Sequence, residues 1–108
     1  MSVTFAQGFS AAGVEAGISA TPGKKDVALV VNEGPLTAAA GVFTTNRFCA
    51  APVQWSRKAV ADGSLKAVIL NSGGANACTG EAGYAQSVAT AHEVAGLLGT
   101  EDGEVAVC

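Results

Sequence analysis

Hydrophobic and polar positions divide the chain into short apolar runs separated by turn residues. Residues 27–31 and 66–70 are nearly continuous apolar runs, which indicates buried strands, and residues 104–108 alternate as at the start of another strand. We also predict a strand at residues 38–44, antiparallel to the first strand because the connection is short. Residues 5–20 have no clean periodicity and predict irregular β-structure.

Two later segments carry the signals of helices. Apolar positions recur at steps of three and four in the stretch 81–98, at Tyr84, Val88, Ala91, Ala95 and Leu98. Thr79 is placed to cap the first turn of this helix, and Gly99 is placed to end it. Residues 52–63 predict part of a strand followed by a short helix.

The predicted order is strand, strand, helix, strand, glycine-rich loop, helix, strand, which indicates an α/β fold of the α+β type. The sequence has no internal repeat or low-complexity linker, so residues 1–108 predict one domain. The last predicted strand stops at Cys108, and chain termini seldom lie inside a buried strand. We therefore expect a truncated chain and an incomplete domain.

The composition is 49% hydrophobic and 14% charged, which is too apolar for a disordered chain. The net charge of -3 gives no basic surface for nucleic acid or for an anionic membrane. The start of the chain lacks a secretory signal, and no apolar run is long enough to span a bilayer. These features favour a cytoplasmic chain that binds neither nucleic acid nor membrane.

Few individual side chains indicate a catalytic, disulfide or metal-binding role. Cys49, Cys78 and Cys108 match neither a metal-binding pattern nor a disulfide framework, so we predict reduced, mostly buried thiols. The acidic residues lack the spacing of metal ligands, and we expect no metal site. His92 lies off the apolar stripe of its predicted helix and is expected at the surface, whereas Trp55 is expected to pack.

A glycine-rich loop, residues 71–80, lies between the clearest strand and the clearest helix. In this position glycines let the backbone approach a ligand, and helix-terminal amides can bind an anion or an oxyanion. The loop lacks the residues of a P-loop and the spacing of a dinucleotide fingerprint. Asn71 and Asn76 could instead hydrogen-bond neighbouring backbone in a tight connection. A small-ligand or nucleotide-binding module and a structural domain without a site therefore stay open as alternatives.

Several segments resemble the start of ornithine acetyltransferases, the bifunctional glutamate N-acetyltransferases of arginine biosynthesis. They are residues 32–35, residues 40–44 and above all residues 67–80, with the sequence AVILNSGGANACTG. The similarity runs along nearly the whole chain in the family's order. The resemblance implies a four-layer αββα sandwich like that of the amino-terminal-nucleophile hydrolases. It also implies that this chain is the amino-terminal part of the enzyme's α-subunit and so a fragment of that sandwich.

The resemblance also implies an activity. In the family an acetyl group moves from N2-acetylornithine to a threonine and then to glutamate, and acetyl-CoA is a second donor in bifunctional members. No cofactor is implied. The threonine becomes amino-terminal when the precursor cuts itself, so the implied partner is the β-chain of the same precursor in an α2β2 heterotetramer.

The resemblance places no catalytic residue on this chain. The nucleophilic threonine and the Thr-Gly pair that stabilises the oxyanion are both expected beyond Cys108, and we expect the 108-residue chain alone to be inactive. The glycine-rich loop is the only matching motif expected near an active site. Its candidate wall residues are Asn71, Ser72, Gly73, Gly74, Asn76 and Thr79.

Overall fold

Four strands form one sheet in which the spatial order follows the order along the chain. In the computed structural model, which describes residues 2–108, these are β1 (Phe9–Val14), β2 (Val27–Asn32), β3 (Ala67–Asn71) and β4 (Val105–Val107). The first three strands are antiparallel neighbours, and β4 runs parallel to β3. A parallel neighbour requires a long crossover, which here contains the longer of the two α-helices.

The two α-helices are α1 (Ala51–Ala59) and α2 (Gly80–Leu98), and short 3-10 turns follow at Val60–Asp62 and Asp102–Glu104. A proline lies in the first turn of α1, where its fixed φ suits a helix start. The predicted end of α2 is confirmed, since Gly99 has a φ of 67° in the left-handed region. Thr79 stands at the N-cap, but its side chain caps no backbone amide.

The core lies between one face of the sheet and the two helices. Alternate residues of β3 and β4 point to this face, and they meet a stripe of small residues on α2. Its buried members are Ala67, Ile69, Ala91, Val94, Ala95, Val105 and Val107. Trp55 of α1 packs against this cluster, as predicted, and its indole Nε1 donates to the Val105 carbonyl at 2.8 Å.

The opposite face of the sheet is only partly covered. Val30 and Val68 are half-buried there, beside residues 38–40, and they line one side of a shallow cavity with Phe9. Phe9 is 41% exposed and Leu70 is 36% exposed. Within residues 2–108 the helices bury one face of the sheet at β3 and β4, whereas β1 is largely exposed.

The structure contradicts three local predictions. Residues 38–44 form no strand, apart from an isolated bridge between Ala38 and Ser64, and Val42 is fully exposed, so this apolar run is not buried in the sheet. The segment 52–63 contains no strand, because α1 already begins at Ala51 and passes into a 3-10 turn. The irregular β-structure expected near the start contains instead the regular edge strand β1.

The predicted burial of the cysteines is also wrong for two of the three. Cys78 and Cys108 are exposed, whereas Cys49 is half-buried, and all three are free thiols. Cys78 lies in the glycine-rich loop with a φ of 58°, and Cys108 follows the edge strand β4. Neither position faces the core, so an apolar side chain alone does not ensure burial.

Candidate functional site

A cavity of about 570 Å³ opens at the carboxyl ends of β3 and β4. The carboxyl ends of parallel strands meet at one edge of a sheet, where the loops that follow them can form a site. Here α2 closes one side and the start of α1 another. The lining residues are Ile18, Pro52, Asn71, Gly74, Ala75, Asn76, Gln86, Ser87, Ala89, Thr90, Val107 and Cys108. The volume falls within the range of roughly 300 to 1,000 Å³ that small-molecule sites occupy.

The wall of this cavity is polar but uncharged. Carboxamides and hydroxyls supply its polar groups, from the loop and from one face of α2. Among the described residues that line it, none carries a carboxylate, an ammonium, a guanidinium or an imidazole. The wall can therefore form hydrogen bonds with a ligand but cannot neutralise a charge.

Asn76 ties the loop to both helices. Its Nδ2 donates to the Gly83 carbonyl at 2.8 Å and to Ser87 Oγ at 3.3 Å. Its Oδ1 accepts a hydrogen bond from the Thr79 hydroxyl, and its backbone carbonyl accepts from the Ala51 amide at 3.0 Å. Ser87 is only 3% exposed, so one of these contacts reaches a buried side chain. The predicted hydrogen bonding of Asn76 to nearby backbone is therefore confirmed.

The two central glycines of the loop have different environments. Gly73 has a φ of 111°, and a Cβ atom there would lie 2.8 Å from Ser19 Cα and 2.9 Å from Ser19 N. Gly74 has an ordinary φ, and its nearest neighbour would be Ile18 Cγ2 at 3.6 Å. Only Gly73 requires glycine, both for its backbone angle and for its close approach to residues 18–19.

Asp26 supports the loop from the other side and is missed by the sequence analysis. The residue is 3% exposed, and its carboxylate accepts from Ser19 N at 2.8 Å and from Ala16 N at 2.7 Å. The backbone N–H groups of Ser19 and then Ala16 lower the pKa of Asp26 below its usual value. Its carbonyl accepts from the Ser72 amide at 2.8 Å. Beside two lysines, an aspartate is typical of a solvated surface, so the sequence gives no signal of this role.

The predicted loop residues divide into two groups. Asn71, Gly74 and Asn76 line the cavity, whereas Ser72, Gly73 and Thr79 do not. The contacts of these last three hold the loop in place. Among the lining residues that were not predicted are polar residues of α2, namely Gln86, Ser87 and Thr90. Their spacing on one helical face is the signal that could have found them.

His92, a further candidate residue, lies apart from the cavity. His92 lies at the surface as predicted, with a side chain 71% exposed, and its Nδ1 is 3.0 Å from an Asp102 carboxylate oxygen. No cluster of three or more His, Cys, Asp or Glu side chains that could hold a metal ion occurs in residues 2–108. No helix in this part of the chain is long and apolar enough to cross a membrane.

Comparison with known proteins identifies relatives along almost the whole chain. The sequence model of the ArgJ family matches residues 10–108. The arginine biosynthesis bifunctional protein ArgJ of Bifidobacterium longum is 83% identical over 108 residues, which are 100% of this chain and 28% of the relative. The ArgJ protein of Streptomyces coelicolor is 59% identical with the same coverage. The chain thus spans little more than a quarter of the length of these curated relatives.

Two solved structures have the same architecture. Ornithine acetyltransferase from Mycobacterium tuberculosis, crystallised with ornithine, has a TM-score of 0.91 and 59% identity, over 94% of this chain and 55% of that chain. ArgJ from Bacillus halodurans has a TM-score of 0.92 and 38% identity, over 99% of this chain and 55% of that chain. ArgJ structures resemble the amino-terminal-nucleophile hydrolases, so the predicted fold class is confirmed.

Proposed function

Because the chain belongs to the ArgJ family, we propose that it is part of an arginine-biosynthesis enzyme that transfers the acetyl group of N2-acetylornithine to glutamate. The main support is the family match across residues 10–108. The likeness to an ornithine acetyltransferase that was crystallised with ornithine adds to it. The products are ornithine and N-acetylglutamate. The relatives are named bifunctional, which fits a second acetyl donor, and we assign acetyl-CoA to that role.

The reacting groups of this proposal lie outside the 108 residues. A threonine hydroxyl attacks the acetyl carbonyl, and its proton passes to the threonine's own α-amino group, whose ordinary pKa of about 7.7 to 8 suits a base. The amide C–N bond breaks, ornithine leaves with that proton, and an acetyl-threonine ester remains. The glutamate amine then attacks the ester and releases the threonine hydroxyl.

The chain itself contributes a wall of the site in this proposal. Cys108 lines the cavity directly after β4, so a Thr-Gly pair shortly beyond it would lie at the rim. Donors in that position could stabilise the oxyanion that forms when the acetyl carbonyl is attacked. Asn76 and Gly73 hold the neighbouring loop, which keeps the wall in place.

The proposal extends to the assembly and its location. We assign a β-chain cut from the same precursor as partner, in a cytoplasmic α2β2 heterotetramer. The half-covered sheet face with Phe9 and Leu70 supports this assignment, since a second layer of an αββα sandwich would cover it. Mass spectrometry of the purified complete enzyme should find two chains, the second starting with threonine. A single uncut chain with full activity would contradict the self-cleavage.

An exchange assay tests the activity directly. The complete enzyme carrying these residues is incubated with acetylornithine and glutamate, and N-acetylglutamate is measured. We expect transfer by the complete enzyme and none by the 108-residue chain, because loss of even one oxyanion donor costs about 10²- to 10³-fold. A complete enzyme without this transfer would contradict the proposed function, and turnover by the short chain would place the catalytic residues within it.

A further inference from the structure

Two carboxamides on the wall of the 570 Å³ cavity are left free by the fold. Across residues 2–108 the side chains of Asn71 and Gln86 make no hydrogen bond, and both residues are exposed. Asn76 on the same wall differs, since its amide donates to Gly83 and Ser87. Asn71 and Gln86 therefore have donors and acceptors available for a ligand.

The rest of the wall restricts what that ligand can be. An ammonium or a carboxylate held there would lose hydration without meeting an opposite charge, which is unfavourable. A secondary amide suits the wall better, because its N–H and C=O match the acceptor and the donors of a carboxamide. The apolar side chains of Ile18, Ala75 and Val107 on the same wall suit a methyl group.

The N-acetyl group of the acetyl donor combines these two properties, an uncharged amide and a methyl. Resting on the proposed function, we infer that this cavity binds the N-acetyl amide of the donor, with Asn71 and Gln86 as the specificity residues that hydrogen-bond it. The charged ends of the amino acid then lie outside this wall, against residues that the 108-residue chain does not contain.

Charge substitution at Gln86 tests the inference in the complete enzyme. Gln86→Glu and Gln86→Lys are compared by kcat/KM for acetylornithine, with Gln7→Glu as the matched control, because Gln7 is exposed and away from the cavity. If an uncharged amide lies beside Gln86, both substitutions lower kcat/KM by about 5- to 10-fold, and the control leaves it unchanged. Opposite responses to Glu and Lys would overturn the inference, because they would place a charged end of the donor there.

Two further measurements complete the test, namely the unfolding temperature of each variant and the kinetics with a second acetyl donor. Gln86 is exposed on α2, so each variant should unfold at the wild-type temperature. Gln86→Met, which introduces no charge, should lower kcat/KM by the same factor. In the reverse reaction N-acetylglutamate carries the same N-acetyl group with a different side chain. The fold loss of kcat/KM measured with N-acetylglutamate should therefore agree within about twofold with the loss measured with acetylornithine. A loss confined to one donor, or unchanged kcat/KM in Gln86→Met, would overturn the inference. An inactive wild-type enzyme would instead contradict the proposed function.

Discussion

Residues 71–80 and residues 40–48 are both irregular connections next to the sheet, but they are held in different ways. The first is joined to two helices through Asn76, and Gly73 packs against residues 18–19. The second makes short-range hydrogen bonds at Asn46 and accepts one long-range bond from Arg57, while Val42 is 100% exposed and Phe48 is 76% exposed. The difference teaches that buried polar contacts position a loop more effectively than its apolar content does.

The largest effect is expected at Gly73. Gly73→Ala should lower the free energy of unfolding by about 2 to 5 kcal/mol, because a positive φ and a clash with Ser19 both oppose a side chain. Gly74→Ala is the matched control and should cost less than about 1 kcal/mol. Denaturant unfolding measures both, and equal losses would show that the close packing of this loop does not matter. In the complete enzyme, Gly73→Val should reduce activity or processing far more than His92→Ala.

A smaller loss of folding stability is expected when one asparagine in each connection is replaced by alanine. Asn76→Ala removes the donor to Gly83 and Ser87 and the acceptor of the Thr79 hydroxyl, which should cost about 2 kcal/mol. Asn46→Ala removes only the exposed acceptor of the Phe48 amide and should cost less than about 1 kcal/mol. The two variants are compared by urea unfolding at pH 7. A larger loss at Asn46 would reverse the comparison of the loops.

The support beneath the first loop should depend on pH. The pKa of Asp26 is lowered in the folded chain, so its stabilising effect is present above its unfolded pKa of about 3.9 and is lost as pH falls through the folded value. Glu104 also has a lowered pKa, chiefly through the Thr100 hydroxyl, so the difference between wild type and Asp26→Asn isolates Asp26. Unfolding measured from pH 7 to pH 3 should show this difference shrinking in acid. A difference that stays constant would contradict the assignment.

The smallest effect is expected in residues 40–48. Val42→Ala should change the free energy of unfolding by less than about 0.5 kcal/mol, because the side chain is fully exposed. The same substitution at Val105, which is 0% exposed, should cost roughly 1 to 3 kcal/mol through the cavity it leaves. Thermal unfolding in the two variants provides the measurement. A clear loss at Val42 would mean that this connection is packed against something in solution.

The sequence predicted the elements that bury apolar residues on a regular period. Residues 27–31, 66–70 and 81–98 lie in β2, β3 and α2, with shifts of a residue or so at their ends. The same criterion failed at residues 38–44, since an apolar run looks alike whether a neighbour covers it or not. The loop could be found from its glycines and asparagines. Asp26 could not, because its contacts depend on which segments meet in three dimensions.

The agreement between strand order and chain order has a consequence for how the sheet is made. During synthesis each of the strands β2, β3 and β4 pairs with a strand that has already left the ribosome, since β1, β2, β3 and β4 are neighbours in that sequence. The step from β1 to β2 closes first, over the connection at residues 15–26, whereas the step to β3 follows only after α1 has emerged and the parallel step follows after the 19 residues of α2. None of these four strands depends on a partner that is translated later than the next strand along the chain.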